Sequence, residues 1–174
     1  MENNSNNSNN NNNLLRINLI YGLNTFYAFN SILRTLFEER RSLNFPETIS
    51  ENLAKYILEI NGYNNITFAN SGDLLFNDKK IEVKCFSSSG PTSFGPTEKW
   101  NWILFIDATR YNEYYFKCYL LKLSNDSEEF KNLKINRTET FNDQAQQGKR
   151  PRIGFNKILE QLNEHVEVIF DDFL

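Results

Sequence analysis

The apolar positions of the chain follow a helical period at first and a strand period later. From Asn24 the residues Phe26, Phe29, Ile32, Leu33, Leu36 and Phe37 recur every three or four positions, which sets them on one helical face and predicts a helix ending near Arg41. A second helix is predicted over Glu47–Ile60, where Ile49, Leu53, Tyr56, Ile57 and Ile60 form a stripe; Pro46 suits its start and Asn61-Gly62 its stop. Short β-type runs then follow at 66–68, 73–76, 81–86, 102–106 and 114–123. A last helix over Phe155–Leu162 carries Phe155, Ile158, Leu159 and Leu162 at helical spacing. Helices around a mixed central sheet make an α/β (α+β) domain. One such domain is expected over 14–174. Residues 1–13, with nine Asn and no apolar period, are expected to be a disordered tail.

Composition narrows the class. At 174 residues, 40% hydrophobic and 14% aromatic, the chain has the apolar content for one buried core and is not a disordered polymer. No apolar run approaches the ~20 residues of a membrane span and no signal segment opens the chain, so a cytoplasmic, reducing location with no membrane partner is expected. Cys85 and Cys118 are too few for a disulfide framework and lack neighbouring zinc ligands. The net charge of −3 hides a segregation: residues 134–152 hold five basic residues against Glu139 and Asp143, whereas 160–174 hold five acids and no Lys or Arg. No phosphate-cradling Walker loop or nucleophile elbow occurs, and the single histidine, His165, sits among acids near the C-terminus, which argues against an NTPase or a serine hydrolase.

The chemistry-bearing stretch is Asp73-Leu74-Leu75-Phe76-Asn77-Asp78-Lys79-Lys80-Ile81-Glu82-Val83-Lys84. Residues 77–80 form a polar turn between apolar runs, which predicts a hairpin. With the turn centred on Asp78-Lys79, Phe76 faces Ile81 and Asp73 faces Lys84. Alternation then puts Asp73, Glu82 and Lys84 on one face and Leu74, Phe76, Ile81, Val83 and Cys85 on the other. Two carboxylates beside an ammonium suit a hard divalent cation and a neighbouring water or phosphate oxygen. Asp78 is assigned to turn geometry.

Asp73, followed nine residues later by Glu82-Val83-Lys84 on the next strand, resembles the PD-(D/E)XK nuclease superfamily, the fold of most type II restriction endonucleases. Gly72 stands where the family name has Pro. A second segment, Asn136-Arg137-Thr138-Glu139-Thr140-Phe141-Asn142-Asp143-Gln144 followed by Gln147-Gly148-Lys149-Arg150-Pro151-Arg152, is similar to one found in small type II restriction enzymes. The resembling segments span roughly 45–162, most of the folded chain. The resemblance implies a restriction-endonuclease-like core and hydrolysis of double-stranded DNA that leaves 5′-phosphates. It also implies Mg2+, with Mn2+ as a substitute, held by Asp73 and Glu82, and Lys84 acting on the attacking water. Glu51, in the first turns of the second helix, is a further candidate, although an acid there also suits any helix N-terminus.

Gln147, Lys149, Arg150 and Arg152 have the chemistry of base-edge and phosphate contacts, and the loop after the active-site strand offers the hydroxyls of Ser87, Ser88, Ser89 and Ser93. A homodimer is expected, because cutting both strands of a symmetric site is simplest with two copies of the domain. A cognate DNA methyltransferase acting on the same site is a further family expectation. The alternatives are a repair, recombination or structure-selective nuclease of the same fold, and a catalytically silent DNA-binding module.

Overall fold

The structure is a computed structural model that describes residues 3–37, 43–69 and 73–174, with side chains from residue 10. Arg41, the expected end of the first helix, and Ser71-Gly72, next to the candidate aspartate, lie outside the described residues.

The first helix, α1, runs Asn3–Phe37. It corrects two expectations, since it starts far before Asn24 and the Asn-rich stretch is helical from Asn3 instead of unstructured. Packing explains the first part: Leu19, Leu23 and Phe26 are buried against the core, and Leu15 and Ile20 pack beside them. Once those turns exist, each added residue fixes one conformation for one hydrogen bond without a new nucleus, so even Asn, a weak helix former, can extend the rod. The second helix, α2, spans Glu47–Ile60 as expected and buries Leu53, Ala54, Ile57 and Leu58. Its larger apolar side chains each contribute about 1.5–3 kcal/mol of transfer free energy.

The strands are β1 (Thr67–Phe68), β2 (Leu74–Phe76), β3 (Lys79–Phe86), β4 (Thr92–Ser93), β5 (Trp102–Asp107), β6 (Tyr115–Leu121), β7 (Arg152–Ile153) and β8 (Val166–Phe173). Among the described residues, six make one sheet in the order β1-β2-β3-β5-β6-β8, with β3 and β5 parallel and the other pairs antiparallel. A mixed α/β domain with a restriction-endonuclease-like core is therefore the observed architecture. Three short helices, α3 (Glu128–Lys131), α4 (Phe141–Gln146) and α5 (Phe155–Leu162), complete it.

Two cores sandwich the sheet. Leu74, Ile81, Leu104, Ile106, Cys118 and Leu120 point towards α1 and α2. Ile103, Phe105 and Leu121 point the other way, towards Phe130 of α3, Phe141 of α4 and Phe155 and Ile158 of α5. Cys118 is buried, Cys85 is half-buried, and burial drives both thiols upward in pKa. Trp100 and Trp102 pack in aromatic clusters with Phe94 and Phe130 and with Tyr63 and Phe76. Strand β8 escapes the sequence pattern because its outward positions carry Glu167, Asp171 and Asp172, which read as an acidic tail.

Candidate active site

The β2–β3 hairpin positions the candidate acids, and its register differs from the expected one. Leu74 pairs with Ile81, Leu75 with Lys80 and Phe76 with Lys79, so the turn is the two residues Asn77-Asp78. Both have positive φ, 45° and 64°, the geometry of a tight turn matched to strand twist and readily adopted by Asn and Asp. One further step along this register sets Asp73 across from Glu82, not from Lys84. The register moved by an even number of positions, so the faces are unchanged: Asp73, Glu82 and Lys84 share one side. Lys80 joins them, whereas a turn occupying all of 77–80 would leave it outside the strand.

The four side chains interlock. Lys80 Nζ lies 2.8 Å from Asp73 Oδ2 and 3.9 Å from Glu82 Oε2. Lys84 Nζ contacts Glu82 Oε1 closely and lies 3.7 Å from Glu98 Oε2. The backbone N–H of Val83 donates to Asp73 Oδ1 at 3.5 Å. This chemical face is only partly open, because Glu82 is 4% exposed and its partner on β5, Ile103, belongs to the second core. Burial pushes the Glu82 carboxyl upward in pKa; Lys84 opposes that, and the negative charges of Asp73 and Glu98 add to it. For Lys80 burial pulls the other way, but the hydrogen bond and charge of Asp73, with Glu82 and Glu98, win and raise it. Glu51 on α2 is also raised, by burial and then by Asp73 and Glu47, so it lies within electrostatic reach of the hairpin.

Glu98 was not among the sequence candidates, lying one residue past the Ser/Gly/Pro loop. It accepts the Gly95 N–H at 2.8 Å, and its other oxygen lies 3.7 Å from Arg150 Nη2. A Cβ at residue 95 would come within 2.5 Å of that carboxylate, so glycine is what lets Glu98 fold over the backbone here. Glu98 thereby connects the hairpin to the basic segment.

The two candidate DNA-contacting segments meet. Strands β4 and β7 pair as Thr92↔Ile153 and Ser93↔Arg152, with the Phe94 N–H donating to Pro151 O at 3.0 Å. Ser87, Ser88 and Ser93 line a cleft with Lys84, Glu47 and Ser50, and Ser88 and Ser89 are exposed. Gln147, Lys149, Arg150 and Arg152 are all exposed; Lys149 is 3.3 Å from Glu139. Gly148, at φ 70°, turns the chain after α4 towards them.

The sequence profile of the Bsp6I restriction endonuclease matches residues 11–161, nearly the whole described chain. The chain belongs to that family. Within it, the type II restriction enzyme Bsp6I of Bacillus sp. (strain RFL6) is 30% identical over 130 residues, covering 71% of this chain and 70% of that enzyme. Membership in the Bsp6I family places the chain among the restriction endonucleases, site-specific nucleases, and the matched span takes in both helices of the first core, the hairpin and the basic segment. No solved structure matches. No helix among the described residues is long and apolar enough to cross a membrane.

Proposed function

We propose that this chain is a Mg2+-dependent type II restriction endonuclease of the PD-(D/E)XK kind, which hydrolyses phosphodiester bonds of double-stranded DNA at a short specific sequence. The observation that carries the reading is the hairpin cluster: Asp73 and Glu82 face each other across β2 and β3, and Lys84 is held against Glu82. The adjoining cleft is lined by small hydroxyl side chains and flanked by an exposed basic ribbon.

The residues fit a hard divalent ion. Asp73 and Glu82 are close enough to share one cation, the ammonium of Lys80, so an ion of higher charge density can take the same place. Two carboxylates suffice for Mg2+, an ion that keeps several waters and completes its shell with phosphate oxygens. Asp73 and Glu82 would hold such an ion, with Mn2+ as substitute, and it would supply charge neutralisation at the scissile phosphate and a more acidic water.

The chain's own groups do the rest. Lys84, fixed by Glu82 and Glu98, orients or deprotonates the attacking water. In-line attack forms the new P–O bond as the P–O3′ bond breaks, and the departing 3′-oxygen takes a proton from solvent, leaving a 5′-phosphate and a 3′-hydroxyl. Arg150, Arg152 and Lys149 offset backbone charge, Gln147 has the donor and acceptor pattern for a base edge, and Ser87, Ser88, Ser89 and Ser93 supply donors to phosphate. Glu51 tunes the field at Asp73. A homodimer cuts both strands, and a cognate methyltransferase protects the same site in the host.

The test is digestion of phage DNA by the purified chain with Mg2+, followed by sequencing of fragment ends. Discrete 5′-phosphorylated ends at one recurring sequence are expected. Random ends, flap-selective cutting or intact DNA would overturn the assignment.

A further inference from the structure

Helix α1 presents a second apolar face that the fold does not cover. Leu14, Ile17, Tyr21, Phe29, Ile32 and Leu36 are 48–69% exposed, yet follow the three- and four-residue spacing of a single stripe. At 100° per residue the stripe lies well away from the buried side made by Leu19, Leu23 and Phe26. It is about 33 Å long at 1.5 Å per residue, nearly the span of a small domain. The only charged residues between Asn3 and Phe37 are Arg16 and Arg34, and both fall off the stripe.

We infer that this stripe is where two copies of the chain dock, antiparallel, with the two-fold axis beside Thr25. The stripe mirrors itself about that residue at its outer and inner pairs, while Ile32 falls opposite Asn18. An antiparallel pairing centred there sets Leu14 against Leu36 of the second copy and Tyr21 against Phe29. Thr25 and Ala28, both exposed and small, lie at the middle and let the axes approach. The Thr25 hydroxyl already donates to Tyr21 O at 2.9 Å, so it needs no partner across the axis.

Charge selects this occupant over others. A membrane-surface helix needs a basic border, and nucleic acid or an acidic partner needs a cationic stripe; α1 offers neither. The other exposed edge, β8, carries Glu167, Asp171 and Asp172, and like charges oppose its pairing with a second β8. Specific interfaces of standard size bury roughly 800 Å² per partner, so a single helix stripe needs neighbouring surface to reach it. The apolar groove of Leu15, Leu19, Gly22 and Ile49, beside the stripe between α1 and α2, extends it. The inference deepens the nuclease reading, because it assigns the surface on which that reading's two copies meet, but its test needs no catalysis.

Sedimentation equilibrium of the full chain without DNA is expected to show a reversible dimer. Tyr21→Glu combined with Ile32→Glu should raise the dimer dissociation constant at least about a hundredfold with unchanged circular dichroism. Thr25→Cys, the residue at the axis, should form a covalent dimer under mild oxidation, whereas Tyr27→Cys, on the flank, should not. A chain that stays monomeric at high concentration, a dimer indifferent to the double charge, or equal cross-linking at 25 and 27 would each overturn this docking surface. Cleavage by a monomer would remove the surface and leave the nuclease assignment standing; an inactive dimer of the expected geometry would do the reverse.

Discussion

Lys80 holds its ammonium 2.8 Å from Asp73 Oδ2, and the same nitrogen lies 3.9 Å from Glu82. A monovalent cation built into β3 therefore sits between the two carboxylates proposed to hold a divalent one. A metal must displace it, and the half-exposed stem of Lys80 gives the ammonium room to swing away.

Lys80→Met should accordingly lower the melting temperature of the metal-free protein, because two acids lose their shared counter-ion, at a cost of about 1–3 kcal/mol. Added Mn2+ should then stabilise the variant more than the parent. Thermal melts with and without Mn2+ measure both; equal metal-induced shifts would mean that Lys80 and the metal do not compete.

Lys84→Ala should reduce cleavage by about 10²–10⁴-fold in a chain that still folds and binds DNA. Gel shifts in Ca2+ and single-turnover cleavage in Mg2+ separate the two effects, and a fully active variant would remove Lys84 from the chemistry.

Replacing Arg150 and Arg152 together by Ala should weaken DNA binding and flatten the slope of log affinity against log salt by roughly 2, one unit for each phosphate left without its arginine. Glu98 would also be deprived of its Arg150 partner, so Lys84 should be checked through the cleavage rate at saturating DNA. An unchanged slope would move the DNA-binding surface elsewhere.

Burial, followed by the charges of Asp73 and Glu98, raises the Glu82 carboxyl above its ordinary 4.5 against the opposing pull of Lys84. A raised carboxyl pKa means that the folded chain binds the proton more readily than the unfolded one. Its contribution to stability is therefore present below 4.5 and is lost as pH rises through the folded value. Metal binding needs the ionised form, so Mn2+ affinity should fall on acidification at a pH above 4.5. Calorimetric titrations with Mn2+ in two buffers of different ionisation enthalpy should register proton release in that window, and none in Glu82→Gln.

The turn offers a structural check on the register. Asp78 at φ 64° occupies a conformation that glycine adopts freely, so Asp78→Gly should be neutral or stabilising by up to about 1 kcal/mol. Asp78→Val should cost more than that, since a β-branched residue resists positive φ. Urea midpoints of the three proteins decide it.

Local pattern determined the elements whose reasons are local. The stripe of Leu53 and Ile57 with Pro46 and Asn61-Gly62 around it delimits α2, Phe155–Leu162 is the helix its spacing describes, and the two-residue alternation along both arms of the hairpin puts Asp73, Glu82 and Lys84 on one face. That alternation has a period of two, so the faces survived even though the register did not. What the chain by itself left open depends on contacts between distant segments. The pairing of Ser93 with Arg152, the reach of Glu98 to both Lys84 and Arg150, and the sinking of Glu82 into the second core each join residues far apart in sequence. Their energies come from burial and charge in three dimensions, so nothing in one dimension announces them. Lys80 falls between the two cases: the signal was present in Asn77-Asp78, but only the paired strands decided that the turn ends there and that the lysine faces the acids.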